Sequence, residues 1–61
     1  MNVEKQLKYW LDGALSNIDT AQLLIENGKF IEGLFFAHLS IQKMLKAHYI
    51  RTNKELASKN A

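Results

Sequence analysis

From Val3 to Ile25, apolar residues recur at Val3, Leu7, Trp10, Leu11, Ala14, Leu15, Ile18, Ala21 and Ile25. At about 100° per residue that spacing lines one side of an α-helix. Asn2 suits the N-cap, and Glu4 places a negative charge where the helix dipole favours one. Lys5, Lys8, Asp12, Ser16 and Asp19 fall on the opposite, solvated side. Gly13 lies off the apolar stripe and costs about 1 kcal/mol relative to Ala, which hints at the close approach of another backbone. Glu26-Asn27-Gly28-Lys29 should end the helix, because Gly accepts the left-handed conformation that terminates many helices.

A second pattern runs from Phe30 to Arg51. Phe30, Leu34, Ala37, Ile41, Met44, Leu45 and His48 are spaced as a core stripe, and the expectation is that this side faces the first helix. Ile31, Phe35, His38, Leu39, Gln42 and Tyr49 widen the apolar arc, with Phe36 and Ile50 further round. One neighbouring helix cannot cover so broad an arc, so Phe35, His38, Leu39, Gln42 and Tyr49 are candidate interface residues. Glu32 is placed in the first turn. After Arg51 the chain turns polar, TNKELASKNA, which reads as a fraying helix end and a tail.

The expected fold is therefore all-α: one domain over residues 1–61, with a helix at about 3–27, a turn at 27–29, a helix at about 30–53 and a polar tail. So short a turn makes the helices antiparallel neighbours. Composition sharpens this. With 61 residues, 48% of them hydrophobic, and neither Cys nor Pro, the chain is too apolar to be disordered and has no disulfide. Below about 70 to 80 residues a single core rarely suffices without a staple or a partner. The hairpin is accordingly expected to complete a four-helix bundle by self-association, as a homodimer or a higher oligomer.

The charge balance, 8 basic against 6 acidic residues for a net +2, permits contact with RNA without arguing for it. No apolar run approaches the roughly 18 residues of a membrane span, and MNVEKQ does not resemble a signal peptide. The expected location is cytoplasmic, with no membrane partner.

Candidate chemistry is sparse. His38 and His48 are ten positions apart, which on a straight helix means about 15 Å of rise and directions differing by roughly 80°. They cannot bind one metal within one chain. The His38 ring is expected to hydrogen-bond Gln42 one turn on, or a partner helix, and His48 to sit at an edge near Arg51. Ser16, Ser40 and Ser58 have no local base, Asp12 and Asp19 stand on a solvated face, and Gly13, Gly28 and Gly33 do not form a phosphate loop. No catalytic, cofactor or metal residue is assigned. Lys43, Lys46, Arg51 and Lys54 gather loosely on the outer side of the second helix, with Lys59 beyond. Such a stripe is ordinarily solvated; phosphate contact is the other reading.

The run Glu26-Asn27-Gly28-Lys29-Phe30, followed by Gly33-Leu34-Phe35-Phe36-Ala37-His38-Leu39-Ser40-Ile41-Gln42-Lys43-Met44-Leu45-Lys46-Ala47, resembles the first half of HEPN domains (higher eukaryotes and prokaryotes nucleotide-binding). An aromatic residue after the turn, then a His, then an acidic-Lys pair and Leu-Lys-Ala mark that family. His38, Lys43 and Leu45-Lys46-Ala47 match, while Gln42 stands where Glu is more usual. The resemblance spans about Tyr9 to Arg51. It implies a helical bundle whose members often dimerise, in many cases pair with a minimal nucleotidyltransferase in toxin–antitoxin systems, and in some cases cleave RNA. The RNase members carry a later Arg followed by a His. Here Arg51 is the sole arginine and His48 precedes it, so that motif carries over to no position.

Function is expected to be that of a HEPN-like helical interaction module without RNase activity, a fragment or short relative of a toxin–antitoxin or RNA-processing protein. The alternative is an RNA- or nucleotide-binding component paired with a nucleotidyltransferase. A structural piece without autonomous activity is the third reading.

Overall fold

A computed structural model describes residues 2–60, with side chains described for residues 2–57. Two helices make up its regular structure, α1 (Val3–Glu26) and α2 (Phe30–Asn60). Both ends of α1 follow from local chemistry. The Asn2 side chain accepts a hydrogen bond from the Glu4 amide at 2.7 Å, satisfying a donor with no partner inside the helix. At the other end Gly28 adopts φ +78°. The Lys29 amide donates to the Leu24 carbonyl at 2.8 Å and the Gly28 amide to the Ile25 carbonyl at 3.0 Å. This crossed pair closes a helix whose next residue is left-handed, and it turns the chain back along α1.

α2 continues to Asn60 instead of ending near residue 53. Polarity alone does not stop a helix. No Gly or Pro follows Gly33, Lys, Glu, Leu and Ala are good helix formers, and Arg51 Nε donates to Glu55 Oε1 one turn on at 3.2 Å. Residue 61 of the expected tail lies outside the described residues.

The hairpin measures 51 × 15 × 12 Å. Among the described residues no further element lies above or below the pair. The buried positions are correspondingly small: Ala14 and Ala21 on α1, and Gly33, Ser40 and Ala47 on α2. They recur at intervals of seven, the spacing that keeps one seam facing a neighbouring helix. Val3, Leu7, Trp10, Asn17 and Leu24 on α1, and Phe36, Lys43 and Ile50 on α2, are half-buried around this seam. Asn17 Oδ1 is buried without a hydrogen-bond partner.

This corrects the expected orientation of α2. Phe30, Leu34, Ile41, Met44 and Leu45 remain 62%, 63%, 51%, 40% and 63% exposed, and His48 is exposed too. By helical spacing the face toward α1 lies roughly 100° round from that stripe. The small residues decide it, since they let the backbones approach. A Cβ placed on Gly33 would lie 2.5 Å from Ile25 Cγ1 and 3.1 Å from the Ala21 carbonyl oxygen. The close backbone approach hinted at for Gly13 therefore occurs at Gly33. Gly13 is met by a flexible side chain, Lys43, whose Cδ would be 3.1 Å from an added Cβ.

The two glycines should respond oppositely to substitution. Gly33→Ala forces the helices apart and is expected to destabilise by about 1 to 3 kcal/mol. Gly13→Ala needs only a shift of Lys43 and gains up to about 1 kcal/mol of helix propensity. Thermal melts of the two variants check this, and equal shifts in the same direction would refute the seam described.

Candidate interaction surface

Turning α2 onto its small residues leaves both helices with large apolar side chains on one common side. At the open end, Leu7 and Leu11 of α1 line a groove with Met44, Ala47 and His48 of α2. Helical spacing carries the same side along α1 through Leu15, Ile18 and Ile25, and along α2 through Ile41, Leu45 and Leu34 to Phe30. Ile18 and Ile25, the most covered of these on α1, are still 39% exposed, and Leu15 is 62% exposed. A monomer rarely shows more than a few hundred Å² of continuous apolar surface, and this face runs along both helices.

The expected interface residues lie beside it. By helical spacing His38, Gln42 and Tyr49 occupy the side of α2 directed away from α1, and Phe35 and Leu39 lie further round. Leu39 is half-buried, and the other four are exposed. His38 and Gln42 are thus solvated in the single chain, where neither gains from being paired.

The basic residues do not form one surface. Lys43 is half-buried across Gly13. Lys46 holds its ammonium 6.0 Å from the Trp10 ring centroid and 5.8 Å from that of Tyr49, within reach of cation–π attraction. Arg51 pairs with Glu55, and Lys54 reaches Glu4 on α1 at 3.6 Å. These last four residues surround the apolar groove at the open end. All are exposed, so the pairs add little to stability. On the solvated side of α1, Lys8 bonds Asp12 at 2.7 Å, which holds its ammonium above the usual lysine range, first through the hydrogen bond and then through the carboxylate charge.

No group of three or more His, Cys, Asp or Glu among the described residues is placed to hold a metal. Nor is any described helix long and apolar enough to cross a membrane. The shared face is not legible in the sequence, because its signal lies in two separate stripes whose relative direction periodicity does not fix.

The HEPN domain model matches residues 7–60. The chain belongs to the HEPN domain family. The match covers nearly all of both helices, including the small-residue seam and the shared apolar face. No curated protein and no solved structure matches the chain significantly.

The exposure of His38 and Gln42 sets an expectation for this HEPN chain. In dilute solution the coupling between His38→Leu and Gln42→Leu should stay within about 0.2 to 0.5 kcal/mol, that of an ordinary exposed i, i+4 helix pair. Coupling above that range should emerge only at concentrations where chains associate. A double-mutant cycle melted across a concentration series decides between these outcomes.

Proposed function

We propose that this HEPN chain is a helical interaction module whose shared apolar face is covered by the same face of a second copy, giving a four-helix bundle. The observation that carries the reading is the alignment of Leu11, Leu15 and Ile18 with Ile41, Met44 and Leu45 on one side of a hairpin that fully buries none of its described large side chains. A self-complementary patch suits a two-fold pair. The contact reaches round the edge of α2 to His38, Gln42 and Tyr49, with Phe35 and Leu39 at its far border.

The module has no RNase activity of its own. In support, its sole arginine, Arg51, is engaged by Glu55 and follows His48 in sequence instead of preceding a histidine. Family membership favours a toxin–antitoxin or RNA-processing setting, with a nucleotidyltransferase among the candidate partners. The alternative reading, RNA contact through Lys43, Lys46, Arg51 and Lys54, is weakened because these residues point in different directions and two of them are paired with carboxylates.

Sedimentation equilibrium at micromolar concentration should find a dimer or larger assembly. Leu45→Glu or Leu15→Glu should weaken association by more than about tenfold, since burying one leucine is worth about 1.5 to 3 kcal/mol. A folded monomer across that range would refute the reading. For the activity, the wild-type chain and His48→Ala should leave a labelled RNA equally intact. Specific cleavage lost in the variant would show the module to be an enzyme.

A further inference from the structure

The side of the hairpin opposite the shared apolar face carries a cleft of different chemistry. Lys5, Gln6, Tyr9 and Trp10 of α1 enclose it with Lys46 and Ile50 of α2, around a space of about 560 Å³. Tyr9 packs edge-on against Trp10 with ring centroids 5.2 Å apart, and Tyr9 is 69% exposed. An aromatic pair of one half-buried and one exposed ring beside an apolar wall is the kind of position that supplies much of the energy at protein interfaces.

Among the described residues, no ion pair compensates the lysines around this cleft. The ion pairs of the hairpin engage Lys8, Arg51 and Lys54, and none of the described carboxylates lies at salt-bridge distance from Lys5 or Lys46. The cleft therefore offers two ammonium groups at its edges and an indole, a phenol ring and an isoleucine inside. From this we infer that the Trp10 cleft binds an acidic segment of a partner protein, in which an apolar side chain enters beside Trp10 and Ile50 while flanking carboxylates pair with Lys5 and Lys46.

The position of Lys46 separates this ligand from a single-stranded nucleic acid, the other class that aromatic rings and lysines attract. Its ammonium already lies over the Trp10 and Tyr49 rings. A stacking base would have to displace that cation, whereas a carboxylate pairs with it in place. The inference does not depend on self-association, because the cleft lies on the side of the hairpin opposite the shared apolar face, and the two surfaces meet only at Tyr49, beneath Lys46 at the cleft's edge.

Trp10 is the sole tryptophan, so its fluorescence reports on the cleft directly. The probe is a short peptide with leucines set between glutamates. Comparison peptides replace every leucine by alanine or every glutamate by lysine, and oligouridylate supplies the nucleic-acid arm. The glutamate–leucine peptide should change Trp10 emission saturably. Binding should weaken at least about tenfold for the alanine peptide and for Lys5→Glu and Lys46→Glu, and the lysine peptide should not bind. Lys46→Gln, which removes the charge without adding an opposite one, should weaken binding to a smaller extent. Equal affinity for the alanine peptide, tighter binding of oligouridylate, unaltered binding by the Lys46 variants, or no emission change with the first peptide would each overturn the inference. Circular dichroism verifies that the variants remain helical. Sedimentation of Lys5→Glu, on α1 and away from Tyr49, should match the wild type, so loss of peptide binding with intact association bears on the cleft alone, and loss of association with intact peptide binding bears on the bundle alone.

Discussion

A pair of helices one helix thick has only one protected place, the line along which the two backbones face each other. Everything in this HEPN hairpin depends on how that line is filled. A bulky residue there would hold the axes apart and admit water, so the seam is occupied by Ala14, Ala21, Gly33, Ser40 and Ala47. Close approach gains contact along the helices at the expense of burying any large side chain. The energetic consequence is a hairpin with little core of its own, in which most of the hydrophobic driving force is still unspent on the outside.

The distribution of that outside surface links packing to function. With the seam fixed, Leu11, Leu15 and Ile18 lie on the same side as Ile41, Met44 and Leu45, while Tyr9, Trp10 and Lys46 gather on the other. The hairpin thus has two dissimilar faces. One suits a broad dry contact driven by area, the other a narrower contact driven by aromatic anchors and charge. The ion pair from Lys54 to Glu4 ties the open end, but exposed charges hold helices together weakly. Covering the apolar face is the stronger route to a stable fold. A module built in this way couples its folding to its partner, which is a sound physical basis for an interaction role.

The local structure could be read closely from the residues. Asn2 as N-cap, Gly28 as the left-handed terminator and the start of α2 at Phe30 are each decided by one or two side chains acting within a turn. So was membership of the HEPN family, whose pattern of His38, Lys43 and Leu45-Lys46-Ala47 lies within a single helix. The end of α2 was less legible. A polar composition resembles a tail, yet helix propensity and a pair such as Arg51 with Glu55 allow the helix to continue without any apolar stripe.

What the sequence by itself determined was two helices, their antiparallel order and a surplus of apolar surface, because caps, turns and periodicity act over a few residues. The rotation of α2 about its own axis was decided only in the tertiary structure. α2 is apolar over so much of its circumference that periodicity supports several faces, and the most hydrophobic stripe is the natural choice when burial is the only criterion. The distance between two backbones is a second criterion, visible only when both helices are present. The Ala21 carbonyl against Gly33 and the Lys43 side chain across Gly13 show it at work. The large side chains were then left for a different contact, because a seam close enough for glycine and alanine has no room for them.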